Sequence, residues 1–144
     1  MRVRHVGITV TDLDKSIEFY QNVLGFEVVK EMDESGDHID NFSDLKDVDV
    51  RTVKMRGHDS GMVELLYYRS HPNVNSRNID EKITKIGCSH FAVTVNDLEA
   101  LYQKLLDNEY TVICEPQYSP DGNVKLTFCR DPDGTLIELV EELR

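Results

Sequence analysis

The sequence predicts an α+β fold in which two βαβββ modules in one chain form a curved mixed sheet around a cavity. Three observations lead to this prediction: an internal repeat, an alternating strand followed by a helix in each half, and a glycine-containing turn before each half's last strand. We expect module one over residues 1–68, a polar linker over residues 69–85 and module two over residues 86–144, together forming a single domain.

The internal repeat aligns His5 with His90, at an offset of 90 − 5 = 85 residues. Residues 5–13 read HVGITVTDL and residues 90–98 read HFAVTVNDL, so the histidine, the Thr-Val pair and the Asp-Leu pair recur in register. A second match, at an offset of 138 − 64 = 74, aligns Glu64 with Glu138. The difference of 11 residues predicts an insertion in the first half, which we place in the polar stretch 33–45.

The first half shows the local signals of each element in order. Residues 3–10 alternate between apolar and polar side chains, which predicts a strand with one apolar face. Asp12 is a candidate N-cap of a helix that ends at Gly25. Glycines flank a predicted turn at residues 57–61. Further strands are predicted over residues 26–30, 48–55 and 62–68.

The second half repeats this order. A helix is predicted from the spacing of Leu98, Leu101 and Leu105, and a turn from Asp-Pro-Asp-Gly at residues 131–134. Strands are predicted over residues 90–95, 110–114, 124–129 and 135–141.

The composition excludes several classes of partner. Lys plus Arg number 16 against 27 for Asp plus Glu, and the net charge of −11 disfavours binding to nucleic acid or to anionic membranes. No apolar run is long enough to span a bilayer. Three cysteines without a C-x-x-C motif indicate neither a disulfide framework nor a zinc ribbon. We therefore expect a soluble, cytoplasmic domain.

Four residues at equivalent positions of the repeat are unusual for strands: His5, Glu64, His90 and Glu138. A carboxylate in mid-strand either faces water or is buried with a compensating cation, and its recurrence beside a recurring histidine favours a shared role. If the modules lie edge to edge with pseudo-twofold symmetry, the four side chains share one concave surface. Two imidazoles and two carboxylates suit a divalent Zn, Ni, Co, Fe or Mn ion with positions open for substrate.

The same residues, together with the segment FCRDPDGTLIEL at residues 128–139, resemble the vicinal oxygen chelate superfamily. That group includes glyoxalase I, methylmalonyl-CoA epimerase, extradiol dioxygenases, and fosfomycin and bleomycin resistance proteins. Four protein ligands are typical of glyoxalase I and the epimerase. The resemblance thus implies one divalent metal ion bound by His5, Glu64, His90 and Glu138.

The resemblance also implies a lyase or isomerase that removes a proton next to a metal-chelated carbonyl of a small-molecule substrate, glyoxalase I-like or acyl-CoA epimerase-like. Glu138 would be the base and leave the metal temporarily, Glu64 a ligand and candidate second acid or base, and both histidines ligands only. Lys125 or Arg51 could receive a substrate anion. Substrate-lining residues expected from strand parity are Thr9, Met62, Leu66, Tyr68, Thr94 and Leu136.

Two other functions remain open from the sequence: a non-catalytic small-molecule binding protein of the same fold, and an Fe(II) extradiol-type dioxygenase. We also expect a homodimer, because the superfamily commonly forms twofold dimers and short modules leave sheet edges to cover. Whether the metal site forms within one chain or across a dimer stays open.

Overall fold

The computed structural model of the chain describes residues 1–58, 60–73 and 82–144. The chain divides into two compact units, Met1–Ser76 and Arg77–Arg144. Each unit is built on one four-stranded mixed sheet, which confirms the predicted α+β class with two repeated modules. Residues 74–81, about half of the predicted linker, lie outside the described residues.

The two units share one topology. In the first, the sheet order is β1-β4-β3-β2, and in the second it is β5-β8-β7-β6. The first strand of each unit runs parallel to the last, and the other pairings are antiparallel. The elements of the first unit are β1 (Val6–Thr9), α1 (Leu13–Glu18), a π-helical turn (Phe19–Val23), β2 (Glu27–Ser35), α2 (Asp37–Ser43), β3 (Asp49–Arg56) and β4 (Met62–Tyr68). Those of the second are β5 (Phe91–Thr94), α3 (Leu98–Asp107), β6 (Gln117–Tyr118), β7 (Val124–Arg130) and β8 (Leu136–Glu142).

The first helix begins at the cap that the sequence indicates, and the helix of the second unit begins at the equivalent aspartate of the repeat. The Asp12 carboxylate accepts a hydrogen bond from the Lys15 backbone N–H at 3.1 Å, and Asp97 accepts one from Ala100 at 2.9 Å. Gly25 follows the first helical segment with φ of 80°, a left-handed conformation that favours glycine. Among the described residues, no helix is long and apolar enough to cross a membrane.

Strand alternation directs the apolar side chains of each sheet toward its helix. In the first unit, Val63 and Leu65 of β4 are buried with Phe19 and Tyr20 of the helical segment. In the second, α3 contacts β8 and buries Leu98, Leu105, Ile137 and Leu139 completely. The side chains between these, including Glu64 and Glu138, therefore lie on the opposite face of their sheets.

The predicted strand over residues 110–114 is wrong. Only Val112 bridges to Cys129 there, and the edge strand is the two-residue β6 further on. Pro116 lacks a backbone N–H for a continued ladder. The Cys114 carbonyl accepts a hydrogen bond from the Thr127 hydroxyl at 2.6 Å, so a side chain replaces a backbone partner at that point.

The polar stretch 33–45, predicted to be an insertion, contains the end of β2 and the helix α2. Ile39 of α2 is buried in a cluster with Val48 and Val50, and Leu66 and Tyr68 pack against that cluster. The register pairs Val50 with Tyr68 on the same sheet face that carries Glu64. The insertion therefore covers one end of that face.

Adjacent leucines at the end of α3 provide a stability test. Leu105 is fully buried, and Leu105→Ala should lower the free energy of unfolding by about 2–5 kcal/mol because it leaves a cavity against β8. Leu106 is 44% exposed, and Leu106→Ala is the matched control that should change it by less than about 0.5 kcal/mol. Urea unfolding measures both values. Equal effects would contradict the orientation of α3.

Candidate functional site

Each unit brings together one histidine and one glutamate of the four residues predicted as ligands. In the first unit, His5 directly precedes β1, and Glu64 lies in the middle of β4 opposite Gly7. The Nε2 atom of His5 is 3.3 Å from Oε2 of Glu64. The parallel pairing of β1 with β4 produces this contact, because it sets the residues before β1 beside the start of β4.

The second unit repeats the arrangement. His90 directly precedes β5, Glu138 lies in β8 opposite Ala92, and His90 Nε2 is 3.3 Å from Glu138 Oε2. The glutamates differ in exposure, with 14% of the Glu64 side chain and 23% of the Glu138 side chain accessible to solvent.

The first unit adds a cation that the sequence reasoning missed. The Nζ atom of Lys54 lies 3.2 Å from Oε1 of Glu64, so Glu64 contacts a basic group through each oxygen. Lys54 lies directly opposite Glu64 in the β3–β4 ladder. Centring the hairpin on the turn at residues 57–61 would have paired these residues from the sequence.

The second unit adds contacts to its histidine. The Ser89 hydroxyl is 2.9 Å from Nδ1 of His90, and the Phe128 ring meets the imidazole edge to face at 5.3 Å between centroids. Phe128 is the residue opposite Glu138 in the β7–β8 ladder. A hydrogen bond at Nδ1 fixes the orientation of an imidazole whose Nε2 is used elsewhere.

A cavity of about 560 Å³ opens beside the first pair. It is lined by three cationic side chains and a histidine: Arg2, Arg4, Lys54 and His5. Glu64 is the one carboxylate among its described lining residues. This basic lining contrasts with the net charge of −11 of the chain. The cavity therefore favours anionic groups.

The residues expected to line a substrate site lie in different parts of the two units. Met62 lines the cavity of the first unit, and Leu136 lines a smaller cavity of about 170 Å³ in the second. Leu66 and Tyr68 share the face of Glu64 but pack against the α2 cluster. Thr9 and Thr94 are exposed at the ends of β1 and β5.

The two cations considered as anion receivers are held by carboxylates. Lys125 is buried and lies 3.3 Å from both Glu99 and Glu141; burial opposes its charge, yet these two partners raise its pKa above the usual value. Arg51 donates to Glu31 and Asp33. Lys54, Arg2 and Arg4 are the cations that line the first cavity instead.

The donor chemistry of each pair fits a divalent ion. Two ligand atoms that each lie about 2.1 Å from one metal ion are about 3.0–3.4 Å apart when the ligand–metal–ligand angle is between about 90° and about 109°. The two Nε2–Oε2 distances of 3.3 Å fall in that range. Within residues 1–58, 60–73 and 82–144, no group of three or more His, Cys, Asp or Glu side chains could hold a metal ion. Each unit thus supplies two donors.

Comparison with known proteins identifies the family. Residues 2–139 match the Glyoxalase/Bleomycin resistance protein/Dioxygenase superfamily, and the chain belongs to it, which confirms the resemblance seen in the sequence. The chain is 28% identical to a probable lactoylglutathione lyase of Synechocystis over 98% of this chain and 95% of that protein.

Two solved structures show the same fold. The trypanothione-dependent glyoxalase I of Leishmania major is 28% identical, with a TM-score of 0.68 and coverage of 99% of this chain and 87% of that one. A glyoxalase family protein of Bacillus cereus reaches a TM-score of 0.88 over 100% of this chain and 95% of that one, at 23% identity. The Bacillus cereus structure shows the fold alone, whereas the lactoylglutathione lyase relative supports a glyoxalase-like enzyme at the family level.

Proposed function

We propose that the protein is a metal-dependent lyase or isomerase that removes a proton from the carbon next to a carbonyl of a small-molecule substrate. The observation that carries the proposal is the repeated pair of imidazole and carboxylate donors, 3.3 Å apart in each unit. Its setting in a superfamily with lactoylglutathione lyase relatives supports the reaction class.

In this proposal His5, Glu64, His90 and Glu138 are the ligands of one divalent Zn, Ni, Co, Fe or Mn ion. Four ligands require both pairs, supplied either by one chain or by two chains of a dimer. When bound, such an ion acts as a Lewis acid that polarises a carbonyl oxygen and makes the neighbouring C–H bond more acidic.

The four proposed ligand side chains have different roles in the reaction. Glu138 accepts the proton from the substrate carbon while the C–H electron pair stays on the substrate as an enolate, and Glu138 then returns the proton to another position. Glu64 remains a ligand and a candidate second acid or base. His5 and His90 hold their positions as ligands.

The proposed substrate site contains the sequence-predicted residues Thr9, Met62, Leu66, Tyr68, Thr94 and Leu136. The basic cavity lined by Arg2, Arg4 and Lys54 suits a substrate that carries an anionic group near its carbonyl. Thiol adducts of 2-oxoaldehydes and acyl thioesters meet these conditions when the thiol carrier bears a carboxylate or phosphate.

A second candidate function is non-catalytic binding of a small molecule. The basic cavity lined by Arg2, Arg4 and Lys54 favours this candidate, because these cations can hold an anion without a metal ion. A cytoplasmic location, with reduced Cys88, Cys114 and Cys129, belongs to either proposal.

The first test is metal content. The purified protein should bind about one divalent ion per chain, and His5→Ala or His90→Ala should lose most of it because each removes one of four ligands. Elemental analysis after dialysis against buffer with trace metal measures this. The matched control is His38→Ala, which removes a histidine of α2 outside both pairs. Full retention of metal in both ligand variants would exclude the site.

The second test concerns the base. Glu138→Gln keeps the size and one oxygen donor but cannot accept a proton, so exchange should fall by about 10²–10⁴-fold while most metal remains. Deuterium incorporation from heavy water, screened over 2-hydroxycarbonyl compounds and acyl thioesters, measures exchange, and metal is measured on the same samples. Glu64→Gln is the comparison and should have the milder effect. Wild-type exchange in metal-loaded Glu138→Gln would favour the binding protein.

The third test concerns assembly. Each sheet ends in an outer strand on both sides, and a homodimer would cover some of these edges. Light scattering at micromolar concentration should give about twice the chain mass of 16.6 kDa. A mass of one chain under these conditions would contradict the dimer.

A further inference from the structure

The two units carry different residues at the position opposite the proposed ligand glutamate. Lys54 of β3 is the ladder partner of Glu64, and Phe128 of β7 is the ladder partner of Glu138. The same offset of 74 residues relates the two glutamates and these two partners. The repeat therefore keeps the backbone arrangement and replaces a cation by an uncharged ring.

Glu64 is held at both oxygens. Its Oε1 lies 3.2 Å from Lys54 Nζ and its Oε2 lies 3.3 Å from His5 Nε2. Only 14% of the Glu64 side chain is exposed, so solvent screens the contact with Lys54 less than on an open surface. Rotating Glu64 away from His5 would also break the ion pair with Lys54.

In the second unit the histidine is held instead. Ser89 Oγ is 2.9 Å from His90 Nδ1, and the Phe128 ring packs edge to face on the imidazole. Among the described residues, the ion pair of the Glu138 carboxylate is with His90 alone. The residue equivalent to Ser89 in the first unit is Arg4, which lines the cavity.

We propose that Lys54 is a positioning residue that keeps Glu64 a fixed ligand, whereas Phe128 at the equivalent position leaves Glu138 able to swing between ligand and base. The inference rests on the proposed function and deepens it, because it states why two equivalent glutamates take different roles. Partners of a ligating carboxylate fix its orientation, and their removal typically weakens metal binding by about 10–100-fold. Motion of Glu138 away from His90 breaks no second ion pair, since its ladder partner is uncharged.

A simple surface ion pair is the alternative explanation of the Lys54 contact. Such a pair contributes little to stability and would not be coupled to a metal ion. A lysine near a divalent cation also repels it, so the effect of removing Lys54 combines lost orientation with relieved repulsion. The experiment must separate these two effects.

A double-mutant cycle separates them. Apo-protein is titrated with Co²⁺, followed by its visible absorption, in the wild type and in the variants Lys54→Met, Glu64→Ala and the double variant. Repulsion acts whether or not Glu64 is present, whereas positioning acts only through Glu64. Lys54→Met is therefore made in two backgrounds, with Glu64 present and with Glu64→Ala. Relative to its effect with Glu64→Ala, it should weaken Co²⁺ binding by about tenfold or more when Glu64 is present.

Conservative replacement and stability provide the controls for this cycle. Lys54→Arg retains a charged donor and should bind Co²⁺ much as the wild type does. The apo forms of Lys54→Met and the wild type should unfold at similar temperatures, because the ion pair is partly exposed. An equal change in affinity in both Glu64 backgrounds, or no recovery in Lys54→Arg, would overturn the inference.

The second unit offers the reciprocal test. Phe128→Lys places an ammonium opposite Glu138 and should slow deuterium exchange by about tenfold or more while Co²⁺ remains bound. Leu126→Lys adds the same charge on the same face of β7, opposite Val140, and should leave exchange unchanged. Equal slowing in both variants would show a general effect of charge and contradict the role of Phe128.

These outcomes distinguish the inference from the proposed function. The Co²⁺ titrations need no substrate. If the protein binds metal and the effects of Lys54→Met and Glu64→Ala are additive, the positioning role of Lys54 is refuted and the proposed function is not. Failure of the wild type to bind any divalent ion removes the proposed function and this inference with it.

Discussion

The two-residue period of β4 and β8 is the constraint on which the rest of the structure depends. Because side chains alternate along β4, Val63 and Leu65 are buried beneath the first helix and Glu64 lies on the other face, next to His5. A slip by one residue would bury the carboxylate under the helix and expose both apolar side chains. The same register therefore fixes the core and the histidine–glutamate pair, so selection for a stable core also preserves the donor geometry.

Much of the fold follows from signals that are local in the chain. Asp12 begins its helix where expected, and β4 has the predicted bounds, because caps and alternation act over a few residues. The strand predicted at residues 110–114 failed for a local and a non-local reason: Pro116 is visible in the sequence, whereas no spacing along the chain reveals the hydrogen bond from the Thr127 hydroxyl to the Cys114 carbonyl.

The candidate site was also predicted only in part from the sequence. The sequence repeat identified the two histidines and the two glutamates as equivalent residues, and equivalent positions of a repeat take equivalent places in the fold. The structure adds that each unit sets one histidine beside one glutamate. The neighbours that make the two pairs different were not found. Lys54 meets Glu64 only through the register of β3 on β4, which depends on the length and conformation of the intervening turn.

A repeated scaffold need not repeat its chemistry. Lys54 and Phe128, which occupy equivalent places, lie on the half-buried faces of their sheets, so exchanging one for the other leaves the buried faces beneath the helices intact. Substitutions on such a face cost less stability than changes in the core, where volume is tightly constrained. Two copies of one module can therefore keep a common core and diverge where they contact ligands. In the proposed function this divergence would have a consequence: the carboxylate paired with Lys54 would stay in place as a ligand, whereas the carboxylate opposite Phe128 could move to accept a proton.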